Sequence, residues 1–121
     1  MARTILCVTL MSFYLLVSLI NVARSAEFIV GGADGWTFDK ENWPEGKSFK
    51  PGDVLVFNYA PEEHNVVIVD AAGFNSCTPA ANSTVYTSGN DRITLAKGEN
   101  YFLCSFPDHC VSGMRIKVNA A

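Results

Sequence analysis

Cys104-Ser105-Phe106-Pro107-Asp108-His109-Cys110-Val111-Ser112-Gly113-Met114-Arg115-Ile116-Lys117-Val118 lies near the C-terminal end of a chain of 121 residues. Its last five residues alternate apolar with basic, the period-two pattern of a half-buried strand, and the alternation puts Met114 on the inward face with Ile116 and Val118. Its first residue closes another strand-like run, Asn100 to Cys104. Between the two strands sits a loop unusually rich in side chains that can donate to a metal: Cys104, His109 and Met114, each five residues from the next.

Along the rest of the chain from Ala26 onward, strand signals dominate and helix signals are nearly absent. Glu27 to Val30 is a short run stopped by Gly31-Gly32, Asp53 to Tyr59 follows the turn Pro51-Gly52, and Asn65 to Val69 is almost continuously β-branched. Arg92 to Leu95 and Asn100 to Cys104 flank Lys97-Gly98, which predicts a hairpin. Asp70 to Ser76 reads either as a short helix or as an irregular connection. Asp39 to Ser48, with Trp43-Pro44 and Glu45-Gly46, reads as a loop with one helical turn. Short strands punctuated by turns over about 96 residues predict one all-β domain, a Greek-key β-sandwich or barrel. Its loops would gather the donors at one end.

Three donors on one loop approach a metal from one side only, so a further ligand must come from elsewhere. The chain has only two histidines, and His64, at the head of a predicted strand, is the second. Copper(I) prefers soft sulfur and copper(II) prefers nitrogen in a flatter arrangement. A His-His-Cys set with a weak axial Met lies between the two preferences, so little has to move when an electron arrives. His64, Cys104, His109 and Met114 therefore predict a blue copper site. The neighbours Asn65 and Ser105 are placed to hydrogen-bond if the two ligand loops lie side by side, holding the loops together and aiming a backbone N–H at the sulfur.

The start of the chain bears on compartment. Arg3 precedes an uncharged apolar stretch from Ile5 to Ile20, and Ala23-Arg24-Ser25 has small residues where signal peptidase reads. A signal peptide over residues 1–25, with cleavage before Ala26, is expected to leave a mature domain of residues 26–121. The alternative is a retained anchor. Without the leader, seven Lys and Arg face twelve Asp and Glu, a formal net charge of −5. Cys77, Cys104 and Cys110 remain, an odd number in an oxidising compartment. If Cys104 is a thiolate ligand, the disulfide is Cys77 to Cys110; a Cys104 disulfide with another cysteine free stays open. Asn82-Ser83-Thr84 is a glycosylation sequon in a turn-like segment.

With these residues in place, the mature chain resembles the phytocyanins, the plant branch of the cupredoxins, and among them the plantacyanins or basic blue proteins. The resemblance rests on Val30-Gly31-Gly32 with Gly35-Trp36, on Pro51-Gly52-Asp53, on His64-Asn65-Val66-Val67, and on Cys104 to Met114 with a Cys directly after the second His. It implies a single cupredoxin domain, a type 1 copper held by His64, Cys104, His109 and Met114, and a Cys77 to Cys110 disulfide. Stellacyanin-like members carry Gln where this chain has Met114. The implied activity is single-electron transfer with no enzymatic step, electrons passing through an imidazole edge, more readily that of His109.

Two features depart from that pattern. Asp108 stands where plantacyanins commonly have Gly, and the acidic total is opposite to the name basic blue protein. Surface charge steers encounter, so the redox partner, not identified by the sequence, is expected to be neutral or cationic. No nucleic-acid partner is expected, and the domain is expected to be a monomer. The chain stops at Ala121 without a Pro/Ser-rich stalk or an apolar tail, so no membrane anchor is expected and the protein would be released to the extracellular space and cell wall. Two other chemistries compete: a structural zinc site on His64, Cys104, His109 and one more Cys, and a thiol nucleophile at Cys104 with His109 as base. The close cysteine pairs of zinc ribbons and an orienting third group are both missing from the sequence.

Overall fold

The computed structural model describes residues 25–121. The expected leader, all but Ser25, lies outside the described residues.

Among the described residues, seven strands form two sheets. Strands β1 (Glu27–Ile29), β2 (Val54–Asn58) and β5 (Asn90–Thr94) make a three-stranded sheet in the order β1-β2-β5, with β1 parallel and β5 antiparallel to β2. Strands β4 (Thr84–Tyr86), β3 (Val66–Val69), β6 (Gly98–Leu103) and β7 (Arg115–Ala120) make an antiparallel four-stranded sheet in that order. The chain crosses from one sheet to the other between β2 and β3, between β4 and β5, and again between β5 and β6. This is the expected Greek-key β-sandwich.

The alternation along β7 is realised, with Ile116, Val118 and Ala120 buried and Lys117 and Asn119 exposed, and Met114 just before it fully buried. The inner faces of the sheets meet around Trp36, Leu55, Phe57, Val66, Phe102 and Ile116, all at or below 1 % exposure. Each such side chain contributes about 1.5–3 kcal/mol by leaving water.

One expectation is corrected. Arg92–Leu95 and Asn100–Cys104 do not form a hairpin, because β5 pairs with β2 (Val54↔Thr94) while β6 pairs with β3 and β7 in the other sheet. The turn at Lys97-Gly98 is the crossover. Asp39–Ser48 is a series of turns without a helix, and β4, among the shortest of the strands, went unanticipated. Asp70–Ser76 resolves into a helix, α1 (Ala71–Ser76), capped by the Asp70 carboxylate accepting from the Gly73 N–H at 2.8 Å. The helix ends at Cys77 in the left-handed conformation, φ 53°, with the Thr78 N–H closing onto Gly73 O at 3.1 Å.

That ending aims Cys77 at the ligand loop. Cys77 and Cys110 form the disulfide, with Cα atoms 5.7 Å apart, and Cys104 is free and buried. Arg115 reinforces the junction, donating to Phe74 O at 2.9 Å and to Glu41 at 3.0 Å.

Candidate metal centre

The strands deliver the donor residues to one end of the sandwich. His64 precedes β3, Cys104 follows β6 directly, and the loop from Ser105 to Met114 carries His109 before entering β7. The loop is folded by its own backbone. The Met114 N–H donates to His109 O at 3.0 Å and the Cys104 N–H to Met114 O at 3.0 Å, so the main chain of Met114 is held between the other two. Gly113, at φ 90°, makes the turn into Met114 and backs onto Asp39, leaving little room for a Cβ.

The donor atoms of His64, Cys104 and His109 lie within 4.8 Å of one another. The two Nδ1 atoms are 3.1 Å apart and Cys104 Sγ is 3.5 Å from His109 Nδ1. Both rings turn Nδ1 inward, which leaves their Nε2 edges facing away from the sulfur. His64 is buried and His109 half-buried. Met114 and Cys104 share one apolar cluster and neither is exposed.

Burial acts on both kinds of donor. It pushes the Cys104 thiol up, opposed by the backbone N–H groups of Asn65 and Phe106, which are hydrogen-bonded to the sulfur. Burial, then the His109 ring, hold His64 below the usual imidazole range, so the ring favours its neutral, metal-binding form. The set is therefore one thiol and two imidazoles that converge, with Met114 in the same apolar cluster as the thiol. It fits a metal that takes both sulfur and nitrogen.

Asn65 and Ser105 meet as a clamp between the segment of His64 and the segment of Cys104. The Ser105 N–H donates to Asn65 Oδ1 at 2.8 Å, and Asn65 Nδ2 donates to Ser105 Oγ at 2.8 Å. Behind Asn65, the indole N–H of buried Trp36 donates to its carbonyl at 2.9 Å. Phe38, which the sequence does not single out, lies edge-on to both imidazoles, with ring centroids 5.4 Å from His64 and 4.7 Å from His109. No sequence signal marks it, because it is a lone aromatic among turns. Asp108 is exposed, with φ 67°. Asn82 is exposed in the turn before β4.

A plastocyanin-like domain profile matches residues 36–114, from Trp36 through the last donor. The chain belongs to the plastocyanin-like family. Its relatives there are phytocyanins. Over 95 residues it is 57 % identical to the basic blue protein of Cucumis sativus, covering 78 % of this chain and 99 % of that one. It is 54 % identical to the chemocyanin of Lilium longiflorum over 101 residues, covering 84 % and 80 %. The solved structure of the cucumber basic protein, described as a blue copper protein, superposes with a TM-score of 0.79 at 56 % identity, covering 79 % of this phytocyanin and all of that chain.

Proposed function

We propose that this phytocyanin is a secreted type 1 copper protein that holds one ion with His64, Cys104, His109 and Met114 and carries single electrons between redox partners. The observation behind this reading is the convergence of two imidazole nitrogens and one thiol sulfur within 4.8 Å, in a buried wall that also contains Met114. Copper bound there supplies one-electron exchange between its two oxidation states.

The side chains supply the rest. Cys104 offers the thiolate, held by two backbone N–H groups. His64 and His109 offer neutral nitrogens at fixed separation, and buried Met114 offers a thioether of low basicity. The Asn65–Ser105 clamp and the disulfide keep these donors in one arrangement in either oxidation state, so that little reorganisation accompanies transfer. The apolar wall keeps water from the sulfur. His109, half-buried, is the edge nearest solvent and the route for electrons.

The finer points rest on separate features. Cleavage before Ala26 is supported by the Ala26 N–H, which donates to buried Asp53 at 2.8 Å; in a mature chain that group is a charged α-amine facing a carboxylate. A neutral or cationic partner is supported by Glu63 on the wall of the cleft over the imidazoles and by the exposed Asp108 next to His109. The exposure of Asn82 in a turn suits N-glycosylation. Metal analysis and reductive titration of purified protein test the central reading: one copper per chain and one electron per copper are expected, and zinc, or no bound metal, would refute it.

A further inference from the structure

We propose that Phe38 is a lid on the metal centre, setting the rate at which metal ions enter and leave it; this rests on the ligand assignment above. Phe38 belongs to neither buried apolar cluster and is 38 % exposed, so packing of the sandwich does not account for its position. Its inner face touches both candidate imidazoles instead, at ring-plane angles of 82° to His64 and 65° to His109. Such edge contacts are attractive and orienting, and together they hold the ring across the gap between the two histidines.

The surrounding geometry is that of an entrance. A cleft of about 380 Å3, lined by Thr37, Phe38, Glu63, His64, Phe106 and His109, opens over the imidazoles. Cys104, the strongest donor, has no exposed surface. An ion coming through this cleft passes Phe38 on its way to the imidazoles; Cys104 also lines a separate cleft with Ser105, Pro107 and Asp108, which Phe38 does not border. The segment bearing Phe38 comes from neither ligand loop but is fastened to one of them: the Lys40 N–H donates to Gly113 O at 3.3 Å, and Lys40 Nζ pairs with Asp34 at 2.9 Å. Asp39, at φ 59°, turns the backbone between the ring and that anchor. The ring thus stands on a fixed base, with part of its surface toward solvent. Glu63, on the cleft wall, gives an arriving cation a first point of attraction.

A lid and a structural prop differ in kinetics. Phe38 carries no donor atom, so removing a lid should speed entry and exit alike and leave affinity nearly unchanged. Removing a prop should speed exit alone. The test compares wild type with Phe38→Ala and Phe38→Trp, with Phe38→Leu as a variant that keeps apolar bulk but loses the ring. Copper(II) uptake by metal-free protein is followed by tryptophan fluorescence, release by absorbance of an added chelator, and access to Cys104 in the metal-free protein by iodoacetamide labelling.

In Phe38→Ala and Phe38→Leu, uptake and release should both rise about tenfold, with faster labelling, while Phe38→Trp stays slow. Wild-type rates in both of those variants, or faster release with unchanged uptake, would overturn the lid while leaving the ligand assignment standing. A wild-type protein that takes up no copper would overturn both.

Discussion

Asn65 grips Ser105 at two points, accepting from its backbone N–H and donating to its hydroxyl, each at 2.8 Å, and so ties the residue after His64 to the residue after Cys104. The grip fixes the distance between two donors that flank strands β3 and β6, one before β3 and one after β6, and it keeps the Asn65 N–H on the Cys104 sulfur.

Asn65→Ala removes both hydrogen bonds and leaves the Ser105 N–H short of a partner. A stability loss of about 1–3 kcal/mol is expected from the lost bonds. Copper retention should also weaken and the reduction potential should shift, since a freer sulfur is a different donor. Chelator competition and voltammetry check this; wild-type values in both would show that the clamp does not reach the metal.

Met114 is the donor whose replacement should be gentlest. A Met114→Gln protein should stay blue, because the thiolate is untouched, but its potential should fall, since an amide oxygen favours copper(II) more than a thioether does. Met114 has no exposed surface, so a loss of stability should accompany the buried amide. An unchanged or raised potential would place the axial ligand elsewhere.

Asp108 combines a backbone effect with an electrostatic one. Its φ of 67° lies in the left-handed region that disfavours side chains, so Asp108→Gly should stabilise the loop by about 1 kcal/mol. The same change removes an exposed negative charge next to His109. Reaction with ferricyanide should accelerate at low ionic strength, and the gap between mutant and wild type should close as salt screens the charge. Equal rates at low salt would show that the carboxylate steers nothing.

Tyr59 bears on pH stability rather than on the metal. Its hydroxyl donates to the carboxylate of Asp91, which is 6 % exposed and also accepts from Ser88 at 2.6 Å. Burial, then this bond, push the Tyr59 pKa up to about 12 from 10.0. A raised folded-state pKa means that the contribution is complete below pH 10 and is lost as pH climbs through about 12. Urea titrations should therefore show stability falling over that interval. Tyr59→Phe should be less stable by about 1–3 kcal/mol near neutrality, with a flatter alkaline decline. A mutant curve parallel to wild type would contradict the assignment.

Much of this arrangement was legible where local pattern and chemistry coincide. Met114-Arg115-Ile116-Lys117-Val118 revealed β7 because one face is buried and the other wet, and Pro51-Gly52 announced β2. The donor residues stood out because Cys, two His and Met are rare, and the free sulfur followed once Cys104 was taken as a ligand. Long-range choices were not legible. Whether β5 pairs with β6 or with β2 depends on sheet assignment, to which the turn at Lys97-Gly98 is blind. Thr84–Tyr86 is too short and too exposed to show a period. Six residues of α1 span less than two helical turns. Phe38 and the Trp36 bond to Asn65 arise from tertiary approach and leave no local trace.

In the proposed function, the Cys104 thiolate, set beside two imidazoles, makes a type 1 copper site. Visible and EPR spectra of copper-loaded wild type and Cys104→Ser test it most directly. Wild type should show an intense blue charge-transfer band with narrow copper hyperfine splitting, and Cys104→Ser should fold but show neither. A colourless wild-type protein, or a Cys104→Ser protein that remains intensely blue, would contradict the account.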